Sequence, residues 1–325
     1  MAEVTETMIP AKKESNKGFQ LDFEVRGVQP AFVNALRRIM LNETPVVEVG
    51  EVEIHDNTTL MPHEMLRHRV EMLPVNVRPT EDDILRTAKL TLLKEGEGEV
   101  FTSDFAITAG EGLRTDLLMK DRDIGEPLYF LKMKKENKVH VTARLRKNIA
   151  GTQACTVSYK YHIDEEKVEE AKEAFLAANP RMPDAALVFD NFYIQRCYHK
   201  NEAGRPDWFD FTVESIGLLS AKEIVVLALN ILKERMTQWS KLDTIVNEAE
   251  EGVYTFTSTE GHTIGALAQT LLYESGLCDF VSYDVPHPLK QEMHVRVRTT
   301  HPPAELLSYC ATKVAEVCDA MEKEL

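Results

Sequence analysis

The feature that most restricts the fold of this 325-residue chain is a unit that occurs twice: a strand running into an amphipathic helix, at Pro30 to Leu41 and again at His262 to Tyr273. In the first copy Phe19, Leu21, Phe23 and Val25 alternate with polar residues, the period of a half-buried strand. Gly27 ends that strand and Pro30 suits a first helical turn. Phe32, Val33, Leu36, Ile39 and Met40 then recur at helical spacing on one face, and Pro45 stops the helix. In the second copy Val253, Thr255 and Thr257 suggest the strand, and Ile264, Leu267, Ala268, Leu271 and Leu272 the helix. Asn34 to Leu41 and Ala266 to Tyr273 superpose without a gap in their apolar face.

Each copy is completed by a striped helix far downstream. Ser220 caps the first, with Ile224, Leu227, Ala228, Ile231, Leu232, Met236 and Trp239. The second starts at Pro302-Pro303 and carries Leu306, Leu307, Cys310, Val314, Val317, Cys318 and Met321. Matching apolar helices that neither copy can bury alone are cheapest to pack against each other, as an internal pseudo-dimer. Pattern alone leaves the alternative open that two unrelated amphipathic helices share a period. The outer faces differ. With the apolar centre between Leu36 and Met40, Arg38 falls nearly opposite and Arg37 on a flank, where the second helix has Thr270 and Gln269. An exposed arginine pair on one copy alone predicts unlike outer partners.

The remaining segments predict an α+β chain. Residues 1–17 read as a flexible amino terminus, 18–43 with 208–240 as the first module, 44–207 as an insert, 241–252 as a linker and 253–325 as the second module. Within the insert, Val47, Val49, Val52 and Ile54 read as a strand and Met65 to Met72 as a short helix between prolines. Further strands are expected at 89–93, 128–133, 139–145 and 155–161, with a helix capped by Asp164 and stopped at Asn179-Pro180.

Composition excludes several classes of function. Thirty-eight Lys and Arg against 53 Asp and Glu leave a net charge of −15, so the overall field repels phosphate backbones. A stand-alone DNA-binding factor using Arg67, Arg69, Arg144, Arg146 and Lys147 is the rival reading. The five cysteines form no Cys-x-x-Cys pair, so free thiols in a reducing compartment are expected and no metal or cofactor. No stretch approaches the ~20 apolar residues of a membrane span, and the amino-terminal residues lack the apolar core of a signal peptide. The run His63-Glu64-Met65-Leu66-Arg67-His68 imitates a zinc-protease motif, but its imidazoles sit at i and i+5, about 140° apart on a helix. No nucleophile, base and oxyanion donor converge in the sequence.

Two ordered motif sets carry a family resemblance. Asn34-Ala35-Leu36-Arg37-Arg38-Ile39-Met40-Leu41-Asn42-Glu43-Thr44-Pro45, Val52-Glu53-Ile54, Asn57-Thr58-Thr59 and Glu64-Met65-Leu66-Arg67-His68-Arg69 resemble the third subunit of eukaryotic RNA polymerase II and the archaeal D subunit. Gly261-His262-Thr263-Ile264-Gly265-Ala266-Leu267 with Tyr283-Asp284-Val285-Pro286-His287-Pro288 resembles the eleventh subunit and archaeal L, and the bacterial alpha subunit is similar to both halves.

The resemblance implies a non-catalytic platform for assembly of a DNA-directed RNA polymerase. Its partners would be the largest and second-largest subunits and one or more small subunits, with DNA met only through the complex. By the same resemblance Asn34, Arg37, Arg38, Glu64, His68 and Arg69 are expected to meet partners, Arg38 the second-largest subunit. Leu36, Ile39, Met40, Ile231, Leu232, Leu267, Leu271, Leu272, Val314 and Val317 are expected to pair the modules. Both modules in one chain resemble the fusions of large DNA viruses, which implies a soluble protein of the virus particle and infected-cell cytoplasm. Relatives often hold zinc or an iron-sulphur cluster on cysteines after the segment matching Met72-Leu73-Pro74; Val75 to Arg86 contains none.

Overall fold

The structure, a computed structural model, describes residues 8–110, 112–114, 116–149, 154–242, 245–247 and 252–325. In chain order the first elements are β1 (Lys12–Ser15), β2 (Gln20–Arg26), α1 (Pro30–Asn42), β3 (Val46–Asn57), α2 (His63–Glu71), α3 (Asp82–Thr87), β4 (Lys89–Glu95) and β5 (Gly98–Phe101). Then come β6 (Ala106–Ala109), β7 (Gly112–Leu113), β8 (Tyr129–Met133), β9 (Lys138–Asn148), β10 (Cys155–Tyr161), α4 (Glu165–Ala178) and α5 (Ala185–Phe192). The last are β11 (Trp208–Ser215), α6 (Ala221–Trp239), β12 (Ile245–Asn247), β13 (Val253–Ser258), α7 (His262–Ser275), β14 (Phe280–Asp284), β15 (Met293–Arg298) and α8 (Pro303–Glu324).

The chain divides into two compact units. One comprises the chain through Met40, Val157–Glu214 and Ala221–Leu325; the other comprises Leu41–Thr156 and Ser215–Ser220. The expected insert of 44–207 is therefore too long at its carboxy end, because residues 157–207 belong to the first unit. The cause is β10: the chain re-enters the first unit along this strand, which lies beside β11 in its sheet, before the α4–α5 hairpin begins.

In the first unit one sheet has the order β1-β2-β11-β10. Period-two alternation buries Leu21, Phe23 and Val25 of β2 and Phe209, Phe211 and Val213 of β11, and α6 packs on β2. Register sets Phe23 opposite Phe211, with ring centroids 5.0 Å apart and planes 4° from parallel. The second sheet, order β12-β13-β15-β14, is antiparallel throughout and receives α7 on β14 and β15. Gly265 permits that approach: a Cβ there would lie 2.6 Å from Cδ2 of Tyr283, so the glycine is a packing requirement of α7 on β14.

Two segments expected to lack structure are ordered. Residues 12–15, placed by the sequence in a flexible terminus, pair with β2 as β1, and Ile9 is buried; residues 1–7 lie outside the described residues. Ile245–Asn247, within the expected linker, pairs with β13 as β12, while 243–244 and 248–251 of it lie outside the described residues. Short strands of this kind leave little local signal, since their partners supply the stabilisation.

The second unit is built on the five-stranded sheet β3-β9-β4-β6-β7 and the ribbon β5-β8. Leu66 and Val70 of α2 enter its core with Val49, Leu90, Leu92, Phe130 and Val141. β3 extends past the expected 47–54, and its alternation breaks between Val49 and Val52 where the strand bulges between Gly50 and Glu53, with Glu51 in the left-handed region at φ 47°. Burial pushes the thiols of Cys155, Cys310 and Cys318 up to about 12, which leaves them protonated and chemically quiet at neutral pH.

Candidate assembly interface

In the first unit the helices of both repeated halves bury their apolar faces. Phe32, Val33, Ala35, Leu36, Ile39 and Met40 of α1 are buried, as are Ile264, Leu267, Ala268, Leu271 and Leu272 of α7. Helices α6 and α8 pack along each other, and Lys233 on α6 pairs with Asp319 on α8 at 2.8 Å. Leu232, Val314, Cys318 and Met321 are buried with them. The expected stripe of α6 is rotated. Ile231 and Leu227 are half-buried, whereas Val225 and Leu229 are buried; on α8 Val317 is half-buried. All of these are large and apolar, so periodicity alone could not choose between neighbouring rows.

Arg38 departs from the expectation that it is exposed. It is half-buried, and its Nε donates to the Thr263 hydroxyl at 2.9 Å, a contact across 225 residues of sequence. The helical wheel placed Arg38 away from its own apolar face, but α7 begins where that side chain reaches. At the other end of α7, Gln29 donates to Glu274 at 2.5 Å and Arg205 pairs with Glu274 at 2.8 Å. Arg235 pairs with Glu260, and the Ile9 amide donates to the Glu324 carboxylate at 2.7 Å. Lys12 reaches the backbone carbonyls of Glu324 and Leu325, both at 2.8 Å, at the dipole-negative end of α8. None of these partners is adjacent in sequence, so none had a local signature.

Hydrogen bonds to a charged group contribute about 1.5–3 kcal/mol when buried. Thr263→Val keeps the branched shape and removes the acceptor for Arg38. We expect a loss of about 1–2 kcal/mol in chemical denaturation followed by tryptophan emission, with retained secondary structure. A change below the error of the measurement would remove Arg38–Thr263 from the forces joining the halves.

The other expected partner residues fall into two groups. Asn34 and Arg37 are half-buried on α1 and engage each other, Arg37 donating to the Asn34 carboxamide from Nε at 3.3 Å and Nη2 at 3.0 Å. Burial raises the pKa of the neighbouring Tyr159 phenol, and the Arg37 charge opposes the rise. Glu64, His68 and Arg69 are exposed on α2 in the second unit, opposite Leu66 and Val70. The Arg69 guanidinium lies 5.9 Å from the Phe130 ring centroid. Beside it, Leu60 is 79% and Met65 62% exposed, on a groove of about 310 Å³ also lined by Tyr129 and Lys132. Large apolar side chains exposed together beside charges have the composition of a protein contact.

The basic residues of the rival DNA-binding reading are largely occupied. Arg146 pairs with the buried Glu48 at 2.6 Å, Lys147 with Asp82 at 2.7 Å, and Arg144 lies 3.8 Å from Glu51. Among the described residues no helix is long and apolar enough to cross a membrane.

Each repeated half sets helices on a sheet, and α6 packs along α8; comparison with known proteins shows which fold this is. The RNA polymerase Rpb3/Rpb11 dimerisation domain model matches residues 22–236, and a second model of that description matches residues 255–324. The chain belongs to the RNA polymerase Rpb3/Rpb11 dimerisation-domain family. It is 31% identical to DNA-directed RNA polymerase subunit Rpo3 of Thermococcus kodakarensis over 74% of this chain and 98% of that protein. It is 26% identical to DNA-directed RNA polymerase II subunit RPB3 of Schizosaccharomyces pombe, over 66% of this chain and 81% of the relative.

Proposed function

We propose that this chain is a non-catalytic assembly subunit of a multisubunit DNA-directed RNA polymerase, in which two dimerisation modules pair within one polypeptide and present a platform to the two large catalytic subunits. The observation that carries the reading is the packing of α6 along α8, one helix from each family match, inside one compact unit. In this reading a contact usually made between two chains is made within one, so pairing no longer depends on concentration. The names of the relatives, subunits Rpo3 and RPB3 of DNA-directed RNA polymerases, support the same role. The viral setting belongs to the proposal too, and rests on the tandem arrangement of the modules.

Coexpression of the native chain with the two largest subunits of its own polymerase tests this reading by affinity capture. Both should be retained, and failure to retain either would overturn the platform. Arg38→Glu and Thr263→Val then separate two roles for Arg38. Capture lost in Arg38→Glu but kept in Thr263→Val assigns the arginine to a partner; capture lost in both assigns it to joining the modules.

A further inference from the structure

The solvent-facing side of the β1-β2-β11-β10 sheet carries a grouping that assembly does not explain. Register sets Glu24 of β2 directly opposite Asp210 of β11. Like charges in that relation repel. At the far edge the chain leaves β10 at His162, whose amide donates to the Trp208 carbonyl at 3.0 Å and whose Nδ1 lies 2.7 Å from Oδ1 of Asp210. One ligand atom each from Glu24, His162 and Asp210 lie within 4.8 Å of one another, and all three residues are half-buried.

Trp208 holds two of the three in place. Its indole N–H donates to Oε2 of Glu24 at 3.0 Å, and its ring stacks on the His162 imidazole with centroids 4.0 Å apart and planes 7° from parallel. The Arg26 guanidinium lies 4.6 Å from the same indole. Outer contacts that fix a carboxylate and an imidazole ring in this way are what order the ligands of metal centres. Lys160 pairs with Oδ2 of Asp210 at 3.6 Å, but it is 71% exposed, and a solvated pair of this kind offsets little of the charge of two carboxylates. A groove of about 330 Å³ along Asp22, Glu24 and Asp210, lined also by Lys12, Lys13 and Lys160, opens this face to solvent.

We propose that Glu24, His162 and Asp210 form a binding site for Zn²⁺, with water completing its coordination. One imidazole nitrogen and two carboxylates suit a borderline first-row dication better than Mg²⁺ or Ca²⁺, which take oxygen ligands. Two carboxylates balance the charge of the ion and remove their own repulsion. Bonds of about 2.1 Å in a tetrahedron separate ligand atoms by about 3.4 Å, so Nδ1 and Oδ1 part slightly and Glu24 closes in. The ion ties the root of the segment that holds α4 and α5 to two neighbouring strands, a structural role that uses no cysteine.

The test is calorimetric titration of the metal-free full-length chain with Zn²⁺ at pH 7.5. The expected result is one equivalent bound with a Kd in the micromolar range and a raised melting temperature. Co²⁺ should quench the emission of Trp208, which is lost in a Trp208→Phe control. Asp210→Asn and His162→Ala should each weaken binding by at least about tenfold. If His162→Ala does not fold, Glu24→Gln decides, because its side-chain oxygen still accepts from Trp208. Absence of saturable binding up to millimolar Zn²⁺ overturns the site. So does binding undiminished in both Asp210→Asn and Glu24→Gln, which would put the ion on another histidine, such as the His55–His140 pair with centroids 4.5 Å apart.

Discussion

Replacing Phe211 with alanine is expected to cost about 3–5 kcal/mol, enough to unfold much of the first unit at ambient temperature. Phe211 is 1% exposed and sits in the middle of β11. Its ring stacks on Phe23 of β2 and lies 5.6 Å from Tyr159 of β10, so one side chain bridges three neighbouring strands. Truncation removes the transfer energy of the ring and leaves a cavity that its two aromatic neighbours, Phe23 and Tyr159, cannot fill. Aromatic pairing adds about 0.5–1.5 kcal/mol beyond area. The chain supplies its own reporter, because both tryptophans, Trp208 and Trp239, belong to the first unit. Urea denaturation followed by tryptophan emission therefore reads this unit selectively. Phe211→Leu should recover most of the loss, and a cost below about 1 kcal/mol for the alanine variant would contradict the packing described.

Leu232→Asp is the second large effect. Leu232 is fully buried on α6, the helix that packs along α8 and on β2. A carboxylate at a fully buried position is taken out of water, and an isolated buried charge costs several kcal/mol before it protonates or water enters. The expected loss is about 3–5 kcal/mol. Lys233→Ala is the contrast: its partner is half exposed, and a surface ion pair contributes about 0–1 kcal/mol. If the platform reading is right, Leu232→Asp also abolishes capture of both large subunits, whereas Lys233→Ala retains it. Comparable stability of the two variants would mean that α6 and α8 are not what joins the modules.

The central elements were legible because each had a strong local cause. Pro30 and the spacing of Phe32, Leu36, Ile39 and Met40 predict α1, and α1 begins at Pro30 with these residues buried. Asp164 caps α4, accepting from the Lys167 amide at 3.3 Å. Elements stabilised mainly by neighbours were not legible: β1 and β12 are short, and β5, β6 and β7 lie among glycines and charges without alternation. In β13 the expected row of Val253, Thr255 and Thr257 gives way to Val253, Phe256 and Ser258 as the buried residues, because Phe256 meets Trp239 edge-on at 6.2 Å.

The candidate interface divides in the same way. Glu64, His68 and Arg69 are expected from the resemblance, and the structure exposes them on α2 opposite the buried Leu66 and Val70. Arg38 does not follow, because a wheel describes one helix, and Thr263 belongs to another. Glu24, His162 and Asp210 lie on three separated segments, each ordinary where it stands, and only the register of β2 on β11 makes a site of them.

Sequence by itself thus determined the duplication, the apolar face of α1 and the family, all of which depend on spacing along one segment. Tertiary structure alone decided that residues 157–207 return to the first unit, that Arg38 is held by Thr263, and that two carboxylates meet one imidazole. The physical reason is range: side-chain periodicity acts over a few residues, whereas strand register and helix packing bring together groups separated by tens to hundreds, whose attraction or repulsion exists only once the chain has folded.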